Sequence, residues 1–437
     1  MAEKTILVWF RNDLRVHDNE ILLEATRKAD KVLPVYCFDP FYFKTTALGL
    51  SKTGNIRARF LLESVADLRH NLQNLGGDLI VRIGNPAEVI LQLAQEYQVS
   101  EVYHHREVAF EETKISEDVE AALWKIKLNL KHFIGHTLYH KEDLPFPIKD
   151  IPDSFAVFKK KVERDSDVRP CLDTPENIKV PEITDAGIIP TLHDLGLTEP
   201  IEDPRSTFHY KGGETTGLEQ LQRYILNLDQ LIVPKGAKTP DYSSRLSAWI
   251  SLGCLSMRWV YRELTKNAEG SANSNSPLML ELLWRDYFRF MFKKHGKQFY
   301  NPDGAKTAEL AADEAEAFEK WKTGHTAVPF IDASMHELNA TGYIGNYNRQ
   351  MVAGYLVNEL KVDWTKGAAY FEEKLIDYSP ASNLGNWAFV SGIGNDPRDA
   401  RYFSGSKQTI SPDASADFIS TWLPEIYEEG GSLASVI

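Results

Sequence analysis

Five short runs rich in β-branched and aromatic residues open the chain: TILVWF from Thr5, VLPVYCF from Val32, DLIVRIG from Asp78, EVYHH from Glu101 and LKHFIG from Leu130. Amphipathic stretches such as NIRARFLLESVADLRHNLQNL separate them. This alternation leaves few folds open, because strand, helix and strand in succession close as a parallel sheet with right-handed crossovers. Such a sheet carries its ligand crevice at the carboxyl ends of the strands. There is no GxGxxG turn, so the Rossmann-like α/β fold expected over residues 1–135 is not the dinucleotide-binding version. Residues 136–205 are rich in Pro, Asp and Thr with little periodicity, and read as a long ordered connection over the surface. From Ser206 to Ile437 apolar residues recur at three and four, with breaks at NAEGSANSNSP and YNPDGAK, which predicts an all-α domain.

With 43% hydrophobic residues over 437 positions, the chain can bury a large core. No apolar run reaches the roughly 18 residues that span a bilayer. The start, MAEKTILVWF, lacks the basic, apolar and cleavage regions of a leader, so a cytoplasmic protein is expected. Cys37, Cys171 and Cys254 stand far apart without CxxC or Cys/His spacing, which suggests neither a disulfide framework nor a metal site. A net charge of -13 argues against the broad basic surface of a non-specific DNA binder. Between Ser206 and Tyr300, however, 13 Lys/Arg stand against 8 Asp/Glu. That local basic excess suits either a solvated helical face or a groove that meets nucleic acid.

The segment from Thr341 to Arg401 carries the densest chemistry. Asn346, Asn383 and Asn386, with Arg349 and Asp377, sit in helical sequence among Tyr343, Trp364, Phe371 and Trp387. Amides in apolar company need partners, since burying each one unpaired is costly. The pattern predicts either an internal hydrogen-bond network or a large, flat ligand with polar edges. Upstream, SSRLS (Ser243 to Ser247) places hydroxyls just ahead of the helical run AWISLGCLS. A helix start of this kind offers its free N–H groups to a phosphate, or simply caps itself. In ELLWRDYFRFM, Glu281 shares a helix face with Trp284 or Arg285.

Together with WFRNDLRVHDNEIL (Trp9 to Leu22), these motifs, in this order between Thr5 and about Trp422, resemble the photolyase/cryptochrome family, and within it the cryptochrome-DASH branch. The resemblance implies FAD in the helical domain. Ser243, Ser244, Arg245, Leu246 and Ser247 would hold its pyrophosphate, Arg349 and Asp377 would form the ion pair beside the flavin ring, and Asn383 would face flavin N5. Arg285, Asn346, Ser379 and Ser382 would complete the cofactor site. Taken alone, Arg349 and Asp377 also read as a buried structural salt bridge. Two departures stand out: Leu231 or Ile232 falls where the family has an aromatic, and Ser379 where it has an Asp.

The resemblance further implies a pocket for a flipped cyclobutane pyrimidine dimer, with Glu281 hydrogen-bonding the base edge and Trp284 stacking on it. Asn346, Tyr347, Gln350 and Phe389 would line its rim, and the last two replace the Met and Trp of photolyases that act on duplex DNA. Trp387 and Trp364 match the inner members of an electron-carrying tryptophan chain, whereas Leu310, Ala311 and Ala312 occupy the stretch of the outer one. Glu107, Glu111 and Glu112 fall where the family binds a methenyltetrahydrofolate antenna, although glutamates entering a helix are also ordinary dipole chemistry. The implied activity is blue-light-driven dimer repair by a monomeric photolyase-type lyase, preferentially on single-stranded DNA, with Glu281, Asn383, Trp387 and Trp364 as its catalytic residues. The alternative is a signalling photoreceptor that repairs nothing.

Overall fold

A computed structural model describes residues 3–227, 243–266, 277–296, 312–392 and 412–425 of the chain. β1 (Thr5–Phe10) is buried along its whole length, as a strand covered by helices on both faces must be. It pairs in parallel with β2 (Lys31–Phe38) on one side and β4 (Glu101–His105) on the other. The short edge strands β3 (Ile80–Ile83) and β5 (Leu130–Phe133) complete the order β3-β2-β1-β4-β5. The crossovers are α1 (Glu20–Lys28), α2 (Asn55–Asn74), α3 (Pro86–Glu96) and α4 (Phe110–Trp124). Local sequence sets their starts: the Asn19 side chain accepts from Leu22 N–H ahead of α1, and Asn85 with Pro86 opens α3. All five expected strands form.

The connection is less plain than its sequence suggests. It contains α5 (Phe155–Asp165), which buries Phe158 and Val162. Their spacing with Phe155 is three and four, a helical period that the lysines around them dilute.

Beyond it every described element is helical: α6 (Glu214–Leu226), α7 (Ser247–Ser251), α8 (Met257–Lys266), α9 (Pro277–His295), α10 (Ala312–Thr323) and α11 (Pro329–Thr341). They are followed by α12 (Asn346–Asn358), α13 (Trp364–Lys374), α14 (Pro380–Val390) and α15 (Pro412–Trp422). Both breaks named above lie outside the described residues, apart from Pro277 at the start of α9.

Polar anchors sew this helical region to the sheet. On α9, Arg285 Nη1 donates to the His136 carbonyl at 2.5 Å, and buried Asp286 accepts from the N–H groups of Leu138 and Tyr139 at 2.9 Å each. One turn on, Arg289 Nη2 meets Glu107 at 2.8 Å. Glu214, at the start of α6, accepts from Val16 N–H at 2.8 Å and His17 N–H at 3.0 Å, and Arg258 of α8 pairs with Asp18 at 2.6 Å. Gly253 (φ +66°) packs so closely here that a Cβ would lie 1.9 Å from the Asn12 carbonyl oxygen. Only glycine fits both that conformation and that gap.

Candidate active site

Helices α9, α12, α13, α14 and α15 surround a cavity of about 850 Å3, which the segments around Phe208–Tyr210 and Ser243–Ser247 close on one side. It is large enough for a dinucleotide-sized ligand with room beside it. One wall is strongly polar. Arg349 Nη2 pairs with Asp377 Oδ2 at 2.8 Å, and Arg349 Nε donates to the Ile344 carbonyl at 2.8 Å. Burial works to lower the Arg349 pKa, but Asp377 and Tyr343 outweigh it, and the net direction is upward. The guanidinium is therefore a fixed cation. Asn383 is buried, and its Nδ2 donates to the Ala368 carbonyl at 2.9 Å. That bond leaves Oδ1 as the free end of the amide.

Two buried groups on this wall, Asp377 Oδ1 and the Tyr210 hydroxyl, have no hydrogen-bond partner among the described residues. Each costs about 1–3 kcal/mol if left so. They fit a ligand that brings its own N–H and acceptor groups. Tyr210 was not foreseen from sequence; it lies in STFHYKGG, a stretch without periodicity, and packs 5.4 Å from Tyr343.

The three asparagines do not share one environment. Asn383 alone is buried, while Asn346 and Asn386 are exposed, with Asn386 Nδ2 donating to the Ser382 carbonyl at 2.8 Å. Asn346 opens α12, where a side chain reaches water easily, whereas Asn386 lies in the middle of α14 on its outward face. Ser379 and Ser382 line the cavity beside them.

In the Ser243–Ser247 segment, the hydroxyls turn back on the loop itself. Ser243 Oγ accepts from Arg245 N–H at 3.2 Å and meets the Tyr343 hydroxyl at 2.7 Å, and Ser244 Oγ accepts from Leu246 N–H at 3.4 Å. Arg245 sits at φ +55°, an unfavourable region for a side-chain-bearing residue, with its guanidinium over the rings of Phe208 and Tyr343. Ser243, Ser244, Arg245 and Ser247 line the cavity, whereas Leu246 points into the core.

A second part of the lining is aromatic. Trp284 lines it with Phe288 and Phe389, whose ring lies 6.1 Å from the indole at 65°. Glu281 stands beside them, and burial, against the pull of Arg349, pushes its carboxyl up to about 7. Its side chain remains open to water through the cavity. Asn346, Tyr347 and Gln350 complete this rim. Arg285 reaches the same wall, but its guanidinium donates to the carbonyls of His136 and Ile250, so it braces α9.

Behind the polar wall, Trp387 touches the cavity and packs 5.1 Å from Phe371 and 6.2 Å from Trp321. Trp364 is buried in the same core without lining the cavity. Leu310 and Ala311 lie outside the described residues, as does the side chain of Ala312. The three glutamates of the α4 entrance are not together on a surface. Glu107 is interior, bound to Arg289 at 2.8 Å and Asn12 at 2.9 Å. Glu112 is interior too, and burial with Glu107 alongside pushes it up to about 8. Only Glu111 faces outward, paired with Lys52 at 2.8 Å. The entering turn of α4 lies against the domain seam, and that is why two of the three acids are swallowed by it.

The sequence pattern described as DNA photolyase matches residues 6–180, and that of the FAD binding domain of DNA photolyase matches residues 278–432. The chain belongs to the photolyase/cryptochrome family. It is 44% identical to the cryptochrome DASH of Gloeobacter violaceus, over 98% of this chain and 87% of the relative. It is 41% identical to that of Danio rerio, over 97% and 84%. Among solved structures it resembles a Synechocystis cryptochrome (TM-score 0.90, 40% identity, 98% of this chain and 90% of that one). It also resembles an archaeal photolyase from Sulfolobus tokodaii described with two FAD molecules (TM-score 0.76, 27% identity, 97% and 91%). The helical region is thus the FAD-binding domain of this photolyase/cryptochrome chain, and the polar wall lies within it. No group of metal-ligating side chains occurs among the described residues, and no helix there is long and apolar enough to cross a membrane.

Proposed function

We propose that this photolyase/cryptochrome protein uses FAD and blue light to reverse cyclobutane pyrimidine dimers, with single-stranded DNA as its preferred substrate. The observation that carries the reading is one cavity with two unlike parts: a polar wall with orphaned hydrogen-bond groups, and in the same cavity a carboxyl beside an indole. A signalling flavoprotein needs only the first. FAD, when bound, supplies the light-driven electron that splits the dimer. The rest is the work of side chains. Ser243, Ser244, Arg245 and Ser247 would take the pyrophosphate, and Arg349 with Asp377 the polar edge of the ring. Asn383, its Nδ2 already donated to Ala368, offers Oδ1 as an acceptor, which favours a protonated nitrogen opposite it. Glu281, with its pKa near 7, keeps a substantial protonated fraction at neutral pH and can donate a hydrogen bond to a base carbonyl. Trp284 offers a stacking surface worth roughly 1–3 kcal/mol per base.

Flipping a dimer from a duplex costs a few kcal/mol in lost pairing and stacking, which a single strand largely avoids. Phe389 and Gln350 supply less contact than a Trp and a Met would, and the net charge of -13 weakens attraction to phosphates. Light-dependent dimer reversal on matched single-stranded and duplex oligonucleotides, at one stated salt concentration, tests the reading. Much faster reversal on the single strand is expected. Equal rates would refute the preference, and no reversal on either, with reduced flavin confirmed, would move the protein to the photoreceptor class.

A further inference from the structure

Phe155 is the residue to which the structure gives a role that no motif suggested. It opens α5, in the connection between the domains, yet its ring lies face to face with Trp284, with centroids 3.6 Å apart and planes within 10°. Phe155 does not line the cavity, whereas Trp284 does. The phenyl ring therefore covers the indole from behind. The remaining contacts of Trp284 are edge-on or tilted: Tyr287 at 84°, Phe389 at 65° and Phe288 at 31°. Phe155 thus occupies one broad face of the indole, and Trp284 as a whole still borders the cavity.

The backing ring is itself held. Phe155 meets Tyr287 at 5.6 Å and 75°, and Phe158, fully buried one turn on, pins α5 against α9. The chain entering α5 is tied to α9 by Lys294, which donates to the Ile151 carbonyl at 2.7 Å and to Asp153 at 2.6 Å, and by the Tyr287 hydroxyl, which donates to the Asp153 carbonyl. The clamp is thus built from two parts of the fold that meet only because α5 docks on α9.

We propose that Phe155 is a positioning residue for substrate: it locks the plane of Trp284 so that a flipped pyrimidine dimer stacks on a preset surface. This rests on the dimer reading above. Without the phenyl ring, the indole regains rotameric freedom that binding must then remove, and pays for it in affinity. The ring adds no group that touches the ligand, so its effect falls on substrate and spares the flavin.

The test uses the FAD-loaded full chain with Phe155→Ala and Phe155→Tyr. Binding is measured to a single-stranded oligonucleotide carrying one thymine dimer and to its undamaged twin. In parallel, the 19F spectrum of 5-fluorotryptophan-labelled protein is recorded, with the Trp284 resonance assigned from Trp284→Phe. Phe155→Ala is expected to weaken dimer binding roughly 3- to 10-fold, to leave undamaged DNA and flavin content unchanged, and to shift and broaden the Trp284 resonance. Phe155→Tyr, which keeps the ring, is expected to restore both. Wild-type affinity in Phe155→Ala, or equal loss on damaged and undamaged strands, overturns the proposal. An unmoved Trp284 resonance overturns it as well. Wild-type protein that cannot tell the two oligonucleotides apart refutes the dimer reading itself, a result distinct from failure of the clamp.

Discussion

Gly367 offers a direct test of how tightly Trp387 is held. It lies on α13 where α14 crosses, and a Cβ there would come within 2.2 Å of Trp387 Cη2, 2.7 Å of Trp387 Cζ3 and 2.5 Å of Leu356 Cδ2. Carbon atoms settle at about 3.5–4.0 Å, so Gly367→Ala overlaps both side chains by more than about 1 Å. Neither can swing aside, because Trp387 is 2% and Leu356 0% exposed. Alanine gains about 1 kcal/mol in helix propensity over glycine, and overpacking costs about 1–3 kcal/mol. The expected net loss is therefore about 1 kcal/mol, accompanied by a displaced indole. Two of the three clashing atoms are the far atoms of the indole's six-membered ring, which Trp387→Phe removes, while the Leu356 contact stays. In that background Gly367→Ala should keep only the Leu356 part of its penalty, so the two substitutions should be non-additive by about 1 kcal/mol. Urea midpoints of the four proteins of the cycle give the coupling, and bleaching of the flavin absorbance under blue light with external reductant reports the function. Gly367→Ala should photoreduce more slowly than wild type. Additive stabilities together with wild-type photoreduction would refute the close fit on which this reasoning depends.

Dimer binding should weaken as pH rises through about 7, because the raised Glu281 pKa means that the donor form is present below that pH and lost above it. Glu281→Gln, a donor at every pH, should flatten the profile between pH 6 and 8. Asp377→Asn removes the charge opposite Arg349 and should weaken FAD retention by about 2 kcal/mol, roughly 30-fold, read as flavin released on dilution. Glu107→Gln strands the Arg289 guanidinium, whose side chain is only 6% exposed, and should cost about 3–5 kcal/mol in denaturant unfolding. Burial would raise the Glu107 carboxyl, but His136 and Arg289 outweigh it and hold it well below the usual carboxylate range. Its stabilising contribution is thus complete above about pH 4.5 and is lost on acidification, and the mutant should be less acid-sensitive than wild type.

Periodicity made the sheet and the helical domain legible, because strands buried on both faces and helices with one apolar stripe write their burial into local sequence. The family resemblance that the motifs carry gathered Arg349, Asp377, Asn383, Glu281 and Trp284, all of which line one cavity. What escaped depends on contacts between distant segments. Phe155 and Tyr210 lie in stretches with weak patterns, and each gains its place only when its segment docks on another. Glu107 and Glu112 look like surface acids at a helix entrance, yet the seam buries them, and no local pattern records a seam. Asn346 and Asn386 escaped for the opposite reason: apolar neighbours in sequence say nothing about a side chain that leans into open space.

The anchors between sheet and helices bear on autonomy. Asp286, Glu214 and Arg289 are buried ionisable groups whose partners lie outside the helical half of the molecule. Excising the helical half would strand all three, together with the Glu107 carboxylate and the backbone N–H groups that Asp286 and Glu214 satisfy. A fragment that begins near Ser206 therefore inherits the cofactor wall without the scaffold that makes it affordable. The two halves should melt as one cooperative unit, and any redesign of this protein has to move them together.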